Sequence, residues 1–479
     1  MENKLVLGYD IMTYNGEQPN CMNPKFLSTI YTASDFYFSD SLEHFAKRWN
    51  HNWVLYNSNM YNNFAEKKSI YQIKEDRKNK INYGWFYIVE PFASLENFFG
   101  NDQFYDEFVL NNISKIALDE IVNGNGNLLI NYIIDGGTAF RVETFAKFIK
   151  FIKDNNIPDE KVYFVFADFE LKRNLEKMGV NYNIIDYSYN MLAKAQEFHN
   201  TITNPNFSYW GEGSFEPQFG TIEHRKNSVT TSEEFIESIG KEKKDFLLLS
   251  RHWKLHRLLL LSQLHKLGFE KSLVSWDNKF SYQLDRNSFL MNDNNEEFLK
   301  LITETSSLLD IDDLTRIAGF GFENKEIYLN TYLSIVTESI FFQEDANFPS
   351  GYLSEKIWKP IGHSQPFILA GPAQSLKHIK ERFGYKTFHP YIDESYDMEY
   401  DDFKRLDMIK IEIEKFANKT KEEKDEFLNN VKDICLYNKT LFLKYAENSY
   451  KGLKNNKEMR LILSFLLEGK LEKPVRSLI

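Results

Sequence analysis

The sequence predicts an α/β protein with two doubly wound parallel sheets and a helical C-terminal region. Short apolar runs alternate with amphipathic stretches in the first half of the chain, and this alternation resumes after a charge-rich stretch at residues 223–244. Alternating strands and helices favour a parallel sheet with helices on both faces. A chain of 479 residues is also too long for one ordinary hydrophobic core, which favours two or three domains.

The first predicted domain spans residues 1–235. Its strands are the short apolar runs, and its clearest helices are the stretches whose apolar residues recur at helical spacing. The predicted strands are Leu5–Tyr9, Trp53–Tyr56, Trp85–Val89, Leu128–Ile134, Val162–Phe166 and Tyr182–Ile185, and the predicted helices are Ser41–Trp49 and Val142–Asn155.

The second predicted domain spans residues 245–400 and follows a candidate linker at residues 223–244. Within that linker, Thr230, Thr231 and Ser232 precede two glutamates, which is typical of a helix N-cap. Residues 401–479 are predicted to be a helical extension with solvated Lys- and Glu-rich faces. The predicted strands are Phe246–Leu249, Leu273–Trp276, Ser334–Thr337 and Phe367–Ala370, and the predicted helix is His256–Leu267.

Composition excludes several classes of protein. The net charge of −11 argues against a protein that mainly grips a nucleic-acid backbone, because such proteins carry a basic excess. Cys21 and Cys435 cannot form a disulfide framework or a paired-cysteine metal site. No apolar segment approaches the roughly eighteen residues of a membrane span, and the first apolar run is too short for a signal peptide. We therefore expect a soluble protein of the cytoplasm, or of the host cytoplasm if the chain is viral.

The most informative stretch of the chain begins at Gly351 and ends at Pro372. It places Glu355 and Lys356 side by side at a predicted helix start, before a short apolar strand. A helix N-terminus suits a phosphate, because it offers free N–H groups and the positive end of the helix dipole. Lys356 adds a mobile charge, and Glu355 can accept hydrogen bonds from sugar hydroxyls. The alternative is a solvated ion pair in the first turn of a helix.

This stretch resembles the donor-binding motif of the α-1,3-fucosyltransferase family and, more closely, the related glycosyltransferases of large viruses and phages. The resemblance covers roughly residues 245–397 and is specific for the superfamily but not for the donor or the acceptor. The matching positions are Tyr352, Ser354, Glu355, Lys356, Trp358, Lys359, Pro360, Gln365, Pro366 and Phe367, followed by Phe388, Pro390, Ile392, Asp393, Glu394, Ser395, Tyr396 and Asp397.

The resemblance implies a GT-B-like fold, in which two Rossmann-like domains face a cleft. It implies a glycosyltransferase that moves a sugar from a nucleotide-diphosphate sugar to an acceptor hydroxyl, with inversion. We expect no required metal or other cofactor, because cations and a helix N-terminus surround the predicted diphosphate site. A GDP-linked donor is favoured. Residues 245–400 would bind the donor, and residues 1–235 would bind the acceptor, which could be a glycan, a protein or a nucleobase.

A dense cationic group follows the predicted strand Phe246–Leu249. In the resembling families this loop contributes an arginine to the donor diphosphate, and Arg251 is the favoured candidate because it follows the strand directly. Fixed cations can stabilise a departing diphosphate without a metal. The alternative is a basic helix start on the surface. The candidate donor-binding residues here are Ser250, Arg251, Lys254 and Arg257, with His252 and His256 beside them.

Three further positions complete the predicted donor site. Glu338 follows the strand Ser334–Thr337, where the fucosyltransferase pattern carries an Asn or a Glu-Asn-Ser stretch that helps to hold the nucleotide sugar. Glu338 could contact a ribose or a sugar, or it could be a strand-end carboxylate that caps the next loop. Tyr352 and Ser354 belong to the donor motif itself.

The general base is the least determined residue. An inverting transfer needs a carboxylate within hydrogen-bond reach of the acceptor hydroxyl. Asp135 ends an apolar run and precedes two glycines, and Glu90 also ends a predicted strand. These two are the catalytic candidates, with Asp168 as a third, and ordinary turn or capping roles are the alternative for each.

Two other functions compete with this interpretation. A non-catalytic nucleotide- or carbohydrate-binding protein could keep the donor site and lack the base. A transferase acting on DNA bases is disfavoured by the acidic charge unless a basic cleft compensates. Asp310 and Asp312 have the spacing of metal-dependent transferases, but their Leu-rich helical context predicts a helix cap.

Overall fold

The computed structural model describes two compact units of the chain. Among the described residues, the first unit comprises those up to residue 186 together with residue 455, and the second comprises residues 195, 198 and 229–454. Each unit contains one parallel sheet with helices between the strands, so the predicted α/β class with parallel sheets is confirmed. The described residues are 5–9, 65–81, 83–89, 113–132, 140–166, 168–186, 195, 198, 229–250, 254–276, 325–343, 345 and 347–455.

The first unit contains a six-stranded sheet with the order β2-β1-β3-β4-β5-β6, in which every neighbouring pair is parallel. The chain order reverses between β1 and β3, as in doubly wound folds. The strands are β1 (Leu5–Tyr9), β2 (Ala65–Ser69), β3 (Trp85–Val89), β4 (Gly126–Tyr132), β5 (Val162–Phe166) and β6 (Asn183–Asp186), and the helices are α1 (Ile70–Lys78), α2 (Lys115–Val122), α3 (Val142–Asp154) and α4 (Leu171–Lys177).

The core of the first unit lies between β4, β5 and α3. The three central residues of β4, Leu128–Ile130, are completely buried, as expected for a strand covered on both faces. Phe148 of α3 meets Phe164 of β5 edge-on at 5.0 Å and Tyr182 at 5.9 Å, measured between ring centroids. The amphipathic face predicted for α3 therefore packs on the sheet.

The second unit contains a four-stranded parallel sheet with the order β10-β9-β7-β8. The chain order reverses between β7 and β9, which places a second switch point in this unit. The strands are β7 (Lys244–Ser250), β8 (Ser272–Trp276), β9 (Thr331–Thr337) and β10 (Phe367–Ala370), and the helices are α5 (Ser232–Ser238), α6 (Leu255–Leu267), α7 (Glu326–Leu329), α8 (Glu355–Gly362), α9 (Ser375–Phe383), α10 (Asp402–Ala417) and α11 (Lys421–Asn455).

The segment before β7 contains the short helix α5. Thr231 and Glu234 form the predicted helix cap, in which each side chain accepts a hydrogen bond from the other residue's backbone N–H. Thr230 is completely buried, and its N–H donates to Nδ1 of His363 at 3.3 Å. These contacts place residues 229–235 with the second unit, although the sequence assigned them to a first domain ending at residue 235.

The long C-terminal helices pack on the second unit. The ring of Phe416 in α10 lies 5.6 Å from Phe246 of β7 and 5.1 Å from Phe427 of α11. Helices α10 and α11 therefore extend the core of the second unit through these rings, and their helical structure is as predicted. Within the described part of the chain, no helix has the length and apolar character needed to cross a bilayer.

Several predictions lie outside the described residues, among them strand Trp53–Tyr56 and helix Ser41–Trp49. Strand β2 was not predicted, because its sequence Ala-Glu-Lys-Lys-Ser lacks an apolar pattern. It lies at the edge of the sheet and pairs only with β1 among the described strands. An edge strand tolerates charged side chains, which also oppose unwanted pairing with other chains.

Candidate functional site

The carboxyl ends of β7 and β9 lie next to each other in the second sheet. The two strands pair directly, with Phe246 opposite Leu333. Strand β7 ends at Ser250 and β9 ends at Thr337, and the chain order reverses between them. Open parallel sheets bind ligands outside the carboxyl ends of the strands at such a switch point. A ligand site in this unit is therefore expected at this edge.

Glu338 is the first residue after β9 and is completely buried. Its Oε2 accepts hydrogen bonds from the N–H of Ser354 at 3.0 Å, from the Ser354 hydroxyl, and from the N–H of Ser339 at 3.3 Å. Its Oε1 has no hydrogen-bond partner among the described residues. Glu338 thus caps the loop that leads into α8. The sequence had left two functions open for Glu338, a sugar contact or a loop cap, and this geometry is that of the loop cap.

The first turn of α8 gathers the predicted donor motif. Ser354 is the N-cap residue, and its hydroxyl oxygen accepts from the N–H of Lys356 at 3.4 Å. The Lys356 ammonium donates to the hydroxyls of Ser339 at 3.1 Å and Ser354 at 3.2 Å, and to Oε1 of Glu355 at 2.8 Å. Three side chains therefore hold one cation beside the end of β9.

Opposite effects act on the two neighbouring carboxyl groups. Burial raises the pKa of Glu338, and the nearby Glu355 adds to this, although Lys356 and Ser354 oppose it. Burial also acts to raise the pKa of Glu355, but Lys356 and Lys359 outweigh it and hold that pKa below its usual range. Glu355 therefore stays ionised beside a Glu338 that is more easily protonated. Environments that separate the pKa values of two carboxyl groups in this way are typical of functional sites.

The pKa of Glu338 leads to a testable pH dependence. Because the folded state raises this pKa above the usual 4.5, the folded protein binds the proton more tightly, and its stability falls as the pH rises above 4.5. Glu338→Gln keeps the shape but removes this dependence. We expect the urea midpoint of the variant to rise relative to that of the wild type as the pH increases from 4.5 to neutrality. Each tenfold difference in proton affinity between the folded and unfolded states corresponds to about 1.4 kcal/mol of stability.

The matched control for that measurement is Glu355→Gln. The pKa of Glu355 is lowered in the folded state, so its ionisation stabilises the protein above 4.5, and this contribution is lost as the pH falls. The wild type should therefore lose stability relative to Glu355→Gln on acidification. Equal pH dependence in the two variants would contradict the opposite environments of these carboxyl groups.

Helix α6 holds the backbone just after β9. The guanidinium of Arg257 donates through Nη2 to the carbonyls of Thr337 at 3.3 Å and Glu338 at 3.1 Å. Nε2 of His256 lies 3.1 Å from the same Glu338 carbonyl, and since a carbonyl only accepts, this nitrogen carries the proton. Burial, together with Arg257 and Lys254, lowers the pKa of His256 far below its usual value, so the ring is neutral.

Lys254 adds one more contact, since its ammonium donates to the carbonyl of Ser339. Arg257 is only 3% exposed, so this guanidinium faces backbone carbonyls in the protein interior. Lys254, His256 and Arg257 therefore fix the loop that carries Glu338 and Ser339. This scaffold is a function that the sequence did not suggest for these residues.

Three buried oxygen atoms at this edge have no hydrogen-bond partner among the described residues. They are Oε1 of Glu338, Oε2 of Glu355 and Oγ1 of Thr337. Leaving a buried polar atom unsatisfied costs about 1–3 kcal/mol, and such atoms are rare in folded proteins. The edge therefore combines one ammonium group with several buried oxygen acceptors that lack partners among the described residues.

Two residues at this edge have structural functions that emerge only from the tertiary structure. The carboxylate of Asp397 accepts from the N–H groups of Leu376 at 2.8 Å and Lys377 at 3.0 Å, so it caps α9. Gly371 follows β10, and a Cβ atom there would lie 3.3 Å from Cγ of Glu338. Sequence reasoning could have found Gly371, because the turn after β10 lies at the same edge of the parallel sheet as the ends of β7 and β9.

The structure brings most of the described candidates together. Direct hydrogen bonds join Glu338, Ser354, Glu355 and Lys356, and Arg257 binds the backbone of Glu338. Ser250 is buried at the end of β7, and Tyr352 is buried before α8. Asp168 is buried and accepts from the N–H of Glu170 at 2.8 Å, which is a capping contact. Outside the described residues lie Arg251, Asp135 and Glu90, together with His252, Asp310 and Asp312.

The described residues contain no cluster of three or more His, Cys, Asp or Glu side chains suited to a metal ion. Comparison with protein-family models, with curated proteins and with solved structures gives no match to this chain.

Proposed function

We propose that the protein is a glycosyltransferase that binds a nucleotide-diphosphate sugar at the carboxyl edge of the second sheet. The observation that carries this proposal is the Lys356 ammonium beside buried carboxylate and hydroxyl oxygens that lack partners among the described residues, at the switch point between β7 and β9. A cation attracts a diphosphate, and unsatisfied acceptors attract the hydroxyl groups of a ribose or a sugar. One nucleotide sugar carries both kinds of group.

Each group has a defined part in this proposal. Lys356 and the N-terminus of α8 stabilise the negative charge that grows on the diphosphate as the sugar leaves. Glu355 stays ionised because Lys356 and Lys359 lower its pKa, and it accepts hydrogen bonds from the donor's hydroxyls. Arg251 follows β7 directly in the sequence and is proposed as a second cation for the diphosphate. A GDP-linked donor and a GT-B arrangement remain part of the proposal through the family resemblance.

The first test is donor binding. Lys356→Ala should weaken the binding of GDP by about 1.5–3 kcal/mol, the range for a hydrogen bond to a charged group. This corresponds to about 10- to 150-fold in Kd, measurable by titration calorimetry. Lys415→Ala removes an equal charge from an exposed lysine on α10 that pairs with Glu412, and it should leave the Kd unchanged. Equal affinity of the Lys356 variant and the wild type would remove the phosphate-binding function assigned to Lys356.

The second test is transfer itself, measured with a panel of nucleotide sugars and candidate acceptors. We expect slow donor hydrolysis, transfer with inversion, and activity that persists with a chelator, because Lys356, the N-terminus of α8 and the proposed Arg251 can together balance the charge of the diphosphate. Asp135→Asn should suppress transfer and leave GDP affinity intact, since a base acts on the acceptor. Full activity would eliminate Asp135 and favour Glu90. Donor binding without hydrolysis or transfer would favour the non-catalytic alternative.

A further inference from the structure

We propose that Glu338 is a positioning residue, which fixes the ammonium group of Lys356 for an incoming phosphate by ordering the two serines that hold it. The part of this inference that concerns the phosphate rests on the proposed function. The linkage between Glu338, the serines and Lys356 is a property of the protein without a ligand, and it can be tested separately.

Glu338 is held in one position by its surroundings. Its N–H donates to the carbonyl of Ala370 at 2.9 Å, and its carbonyl accepts from His256 and Arg257, each at 3.1 Å. Its Cγ packs against Gly371, where an added Cβ would approach to 3.3 Å. Because the backbone is anchored on both sides and the side chain fills a tight space, the carboxyl group has a fixed direction.

The fixed carboxyl group determines which way the Ser354 hydroxyl points. Oε2 of Glu338 already accepts the backbone N–H of Ser354 at 3.0 Å, so this oxygen is an acceptor whether or not Oε1 is protonated. The Ser354 hydroxyl therefore donates its single hydrogen to Oε2, and its lone pairs remain for other donors. Lys356 uses them, through its N–H at 3.4 Å and its ammonium at 3.2 Å.

The second serine depends on the same carboxyl group. The N–H of Ser339 donates to Oε2 of Glu338 at 3.3 Å, and the Ser339 hydroxyl accepts from the Lys356 ammonium at 3.1 Å. Glu338 thus contacts both serines that hold Lys356, and the third partner of the ammonium is Glu355. Without the acceptor at Oε2, both serines lose their orientation, and Lys356 is drawn toward Glu355 and away from a phosphate.

The experiment uses inorganic pyrophosphate as the probe and the full-length protein. Glu338→Met removes the acceptor with little change in side-chain length and should weaken pyrophosphate binding about 10-fold. Glu338→Gln keeps an amide oxygen that can take the place of Oε2, so its affinity should stay within about threefold of wild type. If Glu338 acted through its negative charge and not through the acceptor at Oε2, Glu338→Gln would bind pyrophosphate as weakly as Glu338→Met.

Ser354 supplies a second route to the same result. Ser354→Ala should weaken pyrophosphate binding about as much as Glu338→Met, and the double variant should be no weaker than either. These variants keep the test informative even if Glu338→Met folds poorly.

The decisive comparison is a double-mutant cycle between Glu338→Met and Lys356→Ala. We expect Glu338→Met to cause no further loss of pyrophosphate affinity once Lys356 is absent, and the two changes to be non-additive in urea unfolding of the free protein. Additive losses of affinity would overturn the inference. Wild-type affinity in Lys356→Ala alone would instead overturn the phosphate-binding step of the proposed function, and coupling in unfolding would still report whether the linkage exists.

Discussion

Replacing Trp358 with alanine should lower the free energy of unfolding of the second unit by about 3–5 kcal/mol, as for other buried tryptophans. Trp358 lies on α8, directly after the site residues, and is only 1% exposed. Its ring centroid lies 5.5 Å from Phe383, 5.7 Å from Tyr385 and 6.5 Å from Phe442. Truncation leaves a cavity among these rings, which rigid neighbouring elements fill only in part.

The measurement is urea unfolding of the variant and the wild type. Trp358→Phe keeps a ring and should lose much less stability than the alanine variant. Tyr391→Ala removes a ring that is 44% exposed and should change stability by less than about 0.5 kcal/mol. Because the ring of Trp358 anchors α8, the alanine variant should also bind GDP more weakly. A loss of stability no larger than that of Tyr391→Ala would show that this ring does not anchor the helix.

Asp245→Ala should destabilise the second unit by about 3–5 kcal/mol, the usual result of breaking a buried ion pair. Asp245 lies at the start of β7, and its carboxylate is 2.6 Å from the ammonium of Lys424 on α11. Both side chains are 9% exposed, so the substitution leaves the Lys424 charge buried, with the carbonyl of Ala417 as its remaining hydrogen-bond acceptor among the described residues. An uncompensated buried charge is the physical source of the loss.

A double variant separates the charge from the packing. Asp245→Leu with Lys424→Met replaces the pair with apolar groups of similar volume and should recover most of the lost stability. Asp407→Ala removes an exposed carboxylate that pairs with Lys410 and should cost less than about 1 kcal/mol. If the double variant is no more stable than Asp245→Ala, then packing, and not the unpaired charge, accounts for the loss.

The fold class could be predicted because strands covered on both faces must be almost wholly apolar. Runs such as Leu128–Ile130 and Phe246–Leu249 carry that pattern in consecutive residues, and the structure places each in the centre of a sheet. Strand β2 escaped prediction because an edge strand needs no apolar pattern. The packing of α11 against β7 was likewise not predicted. A lysine such as Lys424 is expected at the surface, and only the structure shows that Asp245 lies beside it.

The sequence alone determined which polar residues follow the strands and open α8, because apolar periodicity locates strand ends and helix starts. The strand and helix pattern and the family resemblance together identified Glu338, Ser354, Glu355 and Lys356 without revealing how they act on one another. Only the tertiary structure decided that Glu338 is buried against Ser354, sixteen residues further along the chain, and that Arg257 of α6 faces backbone carbonyls. The physical reason is that the partners of a buried polar group are set by strand order and helix packing, whereas local sequence sets only the element on which the group lies.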